Sequence, residues 1–372
     1  MRWLVFFSIF FSALSEAENS IIPMVQGLTL AQIDEGDKVQ TILVTRDSHQ
    51  KIEGYNLAKV LPILGDPIEA YRQLKDMKIE DLENKLQDSP IEVFDYTQLK
   101  SPAGKGSHHI ALGFNYAEHA EEIKEDKLPF LFLKTTPASR EENIAFSAEQ
   151  LLDYEVEICA RPTETITESE RNTVSYGYFL CGDFTDRAYL VSHLDHENMR
   201  SGKGFSAAKS MPGYFPTGPY LVFPRDSKAF LSSVKMALWR NNKLKQQTYA
   251  SQMIWGMDDI LTNLFDANSQ GRPTYAVDAP QWLEQNQLTP DNSILTGTPS
   301  GVIMRPPGLW FQVKYGTWYF LSGSFMRFGG SVQSYVIEQF LDNAFEQKHY
   351  LQRGESVKLA ASYLGQIDIV IK

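Results

Sequence analysis

Asp153-Tyr154-Glu155-Val156-Glu157-Ile158 is the stretch on which the reading of this chain turns. Side chains alternate between faces along a strand, so Glu155 and Glu157 project from one face and Tyr154, Val156 and Ile158 from the other. Two carboxylates side by side repel each other unless a cation lies between them. The same alternation also describes a solvated surface strand. A glycosidase pair is poorly served by it, because acids two residues apart on one face do not flank a sugar. Downstream, Tyr176-Gly177-Tyr178-Phe179-Leu180-Cys181-Gly182-Asp183 is an apolar strand that ends in a third acid. Glu155, Glu157 and Asp183 make an all-carboxylate set, suited to Mg²⁺, Mn²⁺ or Ca²⁺. Zinc would ask for His or Cys.

Upstream, Gly113-Phe114-Asn115-Tyr116-Ala117-Glu118-His119-Ala120-Glu121-Glu122 reads as a strand end, a tight turn and a helix. His119 and Glu122 are three apart and therefore neighbours on that helix. A carboxylate that holds one imidazole nitrogen fixes the tautomer and leaves the other nitrogen free as a base. The same spacing also makes an ordinary exposed ion pair. The other histidines offer less: His108 and His109 point to opposite faces of a strand, and His193 and His196 read as a solvated helix face.

Around these motifs lie 372 residues, 43% hydrophobic and 22% charged, the balance of a globular protein of about two domains. A disordered chain, a collagen and a disulfide-stapled miniature are excluded. Lys+Arg of 35 against Asp+Glu of 46 gives 35 − 46 = −11, with a pI near 5.2. An acidic surface repels phosphate backbones, so no nucleic-acid partner is expected. A local pair of lysines still leaves room for a small anionic substrate.

Residues 1–17, MRWLVFFSIFFSALSEA, begin with positive Arg2, run nearly all apolar from Leu4 to Leu14, and carry small residues at Ser15 and Ala17. That pattern is a secretory signal peptide, the alternative being a buried N-terminal helix. No later stretch reaches ~18 uncharged apolar residues, so an exported protein without a stable membrane span is expected. Export permits a disulfide between the two cysteines, Cys159 and Cys181. Cys159 lies two residues beyond Glu157, and Cys181 two before Asp183. An antiparallel register that opposes Glu157 to Asp183 therefore opposes the cysteines too, on the same face, with Cα atoms about 4.5–5.5 Å apart. The alternative is two small buried hydrophobes.

Residues 18–100 hold short β-like runs and a charged helical stretch from Pro67 to Gln87, with no catalytic signature. Ser101-Pro102-Ala103-Gly104-Lys105-Gly106-Ser107 is a joint, and short apolar strands broken by Gly and Pro follow from His108. This divides the chain into an N-terminal domain, 18–100, and a β-rich domain, 105–372. Residues 305–350 are aromatic-heavy and end in a helical run from Ser334 to Gln347.

Seven motifs, in order, make the chain resemble the fumarylacetoacetate hydrolase family: GFNYAEHAEE at 113–122, PFLFLKTTPAS at 129–139, DYEVEI at 153–158, YFLCGDFTDR at 178–187, KSMPGYFPTGP at 209–219, RNNKLKQ at 240–246 and LTGTPSG at 295–301. GESVKLAASYLGQI at 354–367 resembles the family's closing strand pair. The resemblance implies an α+β, β-rich fold, a mixed β-roll/sandwich catalytic domain with a smaller N-terminal domain. It implies a divalent metal on Glu155, Glu157 and Asp183, and His119 as a base oriented by Glu122. Lys134 and Lys209 match family lysines, with Lys203 competing for the second position. Tyr116, Gln246 and Thr298 fall at substrate-binding positions. The 297–301 loop is no phosphate loop, since no lysine follows its last glycine.

Two departures stand out. The family reads Asp-x-Ser/Thr-Ala-Arg-Asp where this chain has Asp183-Phe184-Thr185-Asp186-Arg187-Ala188, so a carboxylate is expected to meet Arg187 from another direction. The 305–350 stretch is longer than usual and is expected to cover the pocket edge or a homodimer interface.

The implied activity is hydrolysis of a C–C bond in a β-diketo acid such as an acylpyruvate. His119 would activate water, the metal would stabilise the enolate, and Lys134 or Lys209 would bind oxyanion or carboxylate. Decarboxylation of an oxaloacetate-like β-keto acid, or hydration or isomerisation of an unsaturated keto acid, uses the same groups. An exported, non-catalytic ligand-binding protein is the reading of another class.

Overall fold

The computed structural model describes residues 20–36, 38–122, 128–171, 173–277, 279–327 and 330–372; the leader-like residues 1–17 lie outside them. The N-terminal part supplies β1 (Gly27–Glu35), β2 (Lys38–Asp47), β3 (Lys51–Asn56) and β4 (Glu92–Asp95). After the joint come β5 (His109–Gly113), β6 (Phe130–Lys134), β7 (Asn143–Ile144), β8 (Leu152–Asp153), β9 (Val156–Pro162) and β10 (Tyr176–Gly182). Then follow β11 (Thr185–Asp186), β12 (Leu221–Pro224), β13 (Lys235–Arg240), β14 (Lys243–Tyr249) and β15 (Ile294–Leu295). The closing pair is β16 (Ser356–Ala361) and β17 (Gly365–Ile371).

A ten-stranded sheet runs in the order β4-β3-β2-β1-β12-β10-β9-β15-β5-β6, a five-stranded one in the order β14-β13-β16-β17-β7, and β8 pairs with β11. The fold is α+β and β-rich, with the smaller N-terminal part joined edge to edge to the rest through β1 and β12. Helix α1 (Pro67–Leu74) begins at Asp66, whose side chain accepts from the Ile68 and Glu69 amides, and it buries Ile68, Ala70 and Leu74. The helical stretch expected to reach Gln87 is divided: a second helix, Ile79–Leu86, starts afresh after Lys78. Arg161 of β9 reaches Asp66 at 2.7 Å and so ties the two parts together.

The central strands β9 and β10 are buried along their whole length. Val156, Ile158, Tyr178 and Leu180 face a core shared with β13 and β16, while Cys159, Phe179 and Cys181 face a second core with α1 and β1. This corrects the picture of a solvated alternating strand: Glu155 and Glu157 are 5% and 1% exposed.

The register also differs from the one expected. Cys181 opposes Glu157 and Phe179 opposes Cys159, and the Asp183 amide donates to the Glu155 carbonyl at 3.0 Å. Asp183 thus lies across from Glu155, and the cysteines sit diagonally. They are nonetheless bonded, with Cα atoms 5.9 Å apart. The two-residue offsets keep all of these side chains on one face, which is why the bond forms although the register is shifted by two.

Within 305–350, α5 (Leu309–Leu321) and α6 (Val332–Gln347) form a helical hairpin; α3 (Arg187–His193) and α4 (Phe205–Lys209) precede it in the chain. The end of α6 packs through Leu341, Ala344 and Phe345 onto Leu151, Ala188 and Met304. The outer side of α5 is exposed at Trp310, Trp318, Phe320 and Leu321. Among the described residues no helix is long and apolar enough to cross a membrane.

Candidate active site

Strand β9 and the residues just before it deliver Glu155 and Glu157, and the end of β10 delivers Asp183. One oxygen from each lies within 4.8 Å of the others. Two lysines meet them. Lys209 Nζ, from the last turn of α4, donates to Glu155 Oε2 at 2.7 Å and Asp183 Oδ2 at 2.8 Å. Lys134 Nζ, from β6, donates to Asp183 Oδ1 at 2.5 Å and to the Lys209 carbonyl. Lys203, the competing assignment, is exposed.

Arg187, at the start of α3, completes the cluster. Its Nη2 donates to Glu155 Oε1 at 2.7 Å and its Nε to Asp153 Oδ2 at 2.9 Å. Asp153 and Arg187 are partners that motif spacing did not single out. The two acid oxygens of Asp153 also accept the Ile303 and Met304 amides at 2.9 and 3.1 Å, anchoring the segment that enters the helical hairpin. The carboxylate displaced to Asp186 does not meet Arg187, contrary to expectation. It caps α3, accepting from the Ala188 amide at 2.9 Å, and Ala188 packs under α6 where a carboxylate would be buried against hydrocarbon.

Four carboxylates, Asp153, Glu155, Glu157 and Asp183, thus face three cations, Lys134, Arg187 and Lys209. The acid in excess is Glu157. Among the described residues no cation pairs with it, and its Oε2 accepts only the Gly297 amide, at 2.8 Å. Burial, together with Asp183 and Glu155, pushes its carboxyl well above the usual range. Burial also works against Glu155, but Lys209 and Arg187 outweigh it and hold that carboxyl low. For Lys209, Asp183 and Glu155 outweigh burial and raise the ammonium, whereas burial prevails at Lys134 and lowers it. A hard, all-oxygen donor set with unbalanced negative charge fits a divalent cation.

The second constellation lies on the helix that follows β5. At the end of β5, Phe114 adopts φ 62°, a conformation unusual for a residue with a side chain, and α2 (Ala117–Glu122) follows. Asn115 fixes this turn by accepting from the Trp255 amide at 2.7 Å and donating to the Thr296 carbonyl at 2.8 Å. His119 is buried, with Nδ1 3.3 Å from Glu122 Oε2. The exposed-pair alternative is thereby set aside. Glu122 is held in turn by the Gly301 amide at 3.0 Å and by Arg305 Nη2 at 2.5 Å. Gly301 has φ +110°, and a Cβ there would lie 2.0 Å from the Lys245 carbonyl oxygen, so no other residue fits this close approach.

A cavity of about 630 Å³ lies over these groups, and His119, Glu155, Arg187, Lys209 and Thr298 line it. Tyr116, Gln246, Lys134, Glu157 and Asp183 do not, so of the three acids only Glu155 reaches the cavity. Gln246 is carried by the β13–β14 hairpin, whose two-residue turn, Asn241-Asn242, has φ 49° and 60°. Its amide is fully used inside the protein: Oε1 accepts the Val156 amide at 3.0 Å, and Nε2 donates to Thr298 Oγ1 and the Pro299 carbonyl at 3.0 and 2.8 Å. The Tyr116 hydroxyl is buried without a hydrogen-bond partner among the described residues; burial raises the phenol, and Glu157 adds to it. Residues 305–350 cover the pocket edge, since Pro306, Gln312, Val336 and Phe340 line the same cavity.

This geometry can be set beside known proteins. The 4-hydroxyphenylacetate degradation bifunctional isomerase/decarboxylase of Salmonella dublin is 25% identical over 207 residues, 54% of this chain and 42% of that protein. The mitochondrial oxaloacetate tautomerase FAHD2B of Bos taurus is 27% identical over 222 residues, 57% of this chain and 62% of that protein. The chain therefore spans less than two thirds of the length of these curated relatives. The structure of the fumarylacetoacetate hydrolase of Exiguobacterium antarcticum superposes with a TM-score of 0.55 at 19% identity, over 93% of this chain and 99% of that one, which shows a shared fold. Residues 108–371 match the family described as fumarylacetoacetate (FAA) hydrolase C-terminal, and the chain belongs to that family.

Proposed function

We propose that the chain catalyses metal-assisted enol chemistry on a small keto acid, with isomerisation or decarboxylation as the reaction. The names of its relatives, an isomerase/decarboxylase and an oxaloacetate tautomerase, favour this over the hydrolytic C–C cleavage expected first. The observation that carries the chemistry is a buried acid cluster with one carboxylate in excess, whose Glu155 lines the same cavity as a carboxylate-held imidazole.

Glu155, Glu157 and Asp183 are the proposed ligands of Mg²⁺, with Mn²⁺ or Ca²⁺ as substitutes. A bound divalent ion supplies Lewis-acid polarisation of the keto-acid oxygens. Lys209 and Arg187 meet the substrate carboxylate from the cavity floor, and Lys134 beneath them holds Asp183 in place. Glu122 fixes His119 through Nδ1, so Nε2 is the atom that takes a proton from C3 of the substrate and returns it to carbon or oxygen, which is a tautomerisation. In a decarboxylation the C3–C4 bond breaks, CO₂ leaves, and C3 receives its proton from the same nitrogen. Thr298 offers the substrate a hydroxyl at the cavity wall; Tyr116 and Gln246 act behind it, by packing and by bracing the loop.

The test is a panel of oxaloacetate, acylpyruvates and unsaturated keto acids, with and without Mg²⁺. Metal-dependent enol–keto interconversion or CO₂ release is the expected result. Faster cleavage of an acylpyruvate into two acids would restore the hydrolase, and binding without turnover would leave a ligand-binding protein.

Two further proposals concern the setting. Export is supported by the leader-like residues 1–17 together with the Cys159–Cys181 bond, which an oxidising compartment maintains. N-terminal sequencing of secreted material beginning near residue 18 checks it. A homodimer is proposed on the family resemblance and is checked by light scattering.

A further inference from the structure

The cavity has a floor and walls of opposite chemistry. His119, Glu155, Arg187 and Lys209 gather at the floor. Leu190, Val191 and Phe205 of α3 and α4 and Val336, Ile337 and Phe340 of α6 line the same cavity. Among the described residues, polar lining away from the floor is limited to Gln312, Gln333, Thr298 and the exposed His196, with no lysine or arginine. A volume of about 630 Å³ is of the size that holds a drug-sized ligand, several times larger than a four-carbon acid. A second carboxylate reaching up from the floor would lie against hydrocarbon, with no cation among the described lining residues to meet it.

We infer that the substrate is a 2-keto acid bearing an apolar tail of several carbons, alkyl or aryl, and not a second carboxylate, which selects tautomerisation over loss of a C4 carboxylate as its reaction. The keto-acid head lies on the floor and the tail runs between α3 and α6, so the helical hairpin selects the substrate class. This rests on the reading of the floor as a metal-assisted keto-acid site.

Calorimetric titration of the full chain with Mg²⁺ and straight-chain 2-keto acids, from pyruvate to 2-oxodecanoate, tests it, with oxaloacetate as the dicarboxylate. Affinity is expected to rise roughly fourfold per added methylene until the space is filled, the gain for burying a CH₂ group. Oxaloacetate is expected to bind no tighter than pyruvate. Val336→Asp should cut the ratio of 2-oxodecanoate to pyruvate affinity by at least about tenfold; should that variant fail to fold, Val336→Thr should lower the same ratio. A flat or falling series, or a ratio unmoved in the variant, overturns the apolar tail. If pyruvate and oxaloacetate still bind only with Mg²⁺, the reading of the floor survives that failure. If no keto acid binds with or without the metal, both fall.

Discussion

Strands β9 and β10 and the helical hairpin α5–α6 meet at one cavity and are built on different principles. The strands are buried on both faces, are locked by backbone pairing on both edges, and place ionised groups to within a hydrogen-bond length. The hairpin holds to the rest by apolar contacts of its second helix, and the segment leading into it by amides on Asp153 and by the partly exposed Arg305. Rigid strands suit a site in which charges must not move; a packed but separate hairpin suits a wall that selects what enters. On the proposed function, chemistry belongs to the first region and choice of substrate to the second.

That division can be broken most sharply at His119. His119→Ala should leave the metal-dependent gain in stability intact and slow turnover on a good keto acid by about 10²–10⁴-fold, the range for losing a general base. Turnover that survives the change would make His119 structural. Next in size is Glu157→Ala, measured by thermal unfolding with and without Mg²⁺. At a hundredfold excess over its dissociation constant the metal stabilises the wild type by about 2.7 kcal/mol, and the variant should lose that gain. A wild type whose unfolding ignores millimolar Mg²⁺ and Mn²⁺ would remove the metal from the strands.

A pH dependence should also belong to the sheet. His109 on β5 is fully buried, its Nδ1 accepts the Ser293 amide at 3.0 Å, and burial, with Lys134 nearby, holds it down at about 3. Above its ordinary value of 6.5 neither state carries the proton and the residue is neutral in effect. Below it the unfolded chain takes the proton and the native one does not, so stability falls as pH drops through 6.5 toward 3. His109→Asn keeps an acceptor for Ser293 and removes the titration. Urea unfolding at pH 7 and pH 5 should show the wild type losing about 2 kcal/mol more than the variant. The smallest effect is expected from the hairpin side. Arg305 is half exposed, so its pair with Glu122 is worth ~0.2–1 kcal/mol and Arg305→Ala should lower kcat by no more than about fivefold. A loss comparable to that of His119→Ala would place catalysis in the hairpin as well.

The acids, the lysines and His119–Glu122 were legible because their chemistry needs fixed residue types at fixed short spacings, and a strand or one helical turn turns that spacing into geometry. What the spacing could not carry was the alignment between strands. Glu157 opposes Cys181 and not Asp183, because register is set by packing on both faces of a long sheet. Asp153 and Arg187 were hidden for a related reason: their pairing joins the approach to one strand with a helix 34 residues later. Gln246 shows the opposite limit. Its position matched a substrate contact, yet its hydrogen bonds are taken up by Val156, Thr298 and Pro299, which a one-dimensional motif does not record.

The bond between Cys159 and Cys181 bears on how such a site can be assembled at all. Bringing like charges together is uphill in a chain that has not yet gathered its lysines, and the denatured ensemble has every entropic reason to keep β9 and β10 apart. A cross-link spanning 22 residues removes much of that freedom, worth about 3 kcal/mol in the loop-closure account. Since each half-cystine lies two residues from a carboxylate, the bond restricts the strands to alignments that keep those carboxylates close to one another. The same chain matured among reductants would have to align those strands against their own repulsion, so its yield of folded protein becomes a function of where it is made.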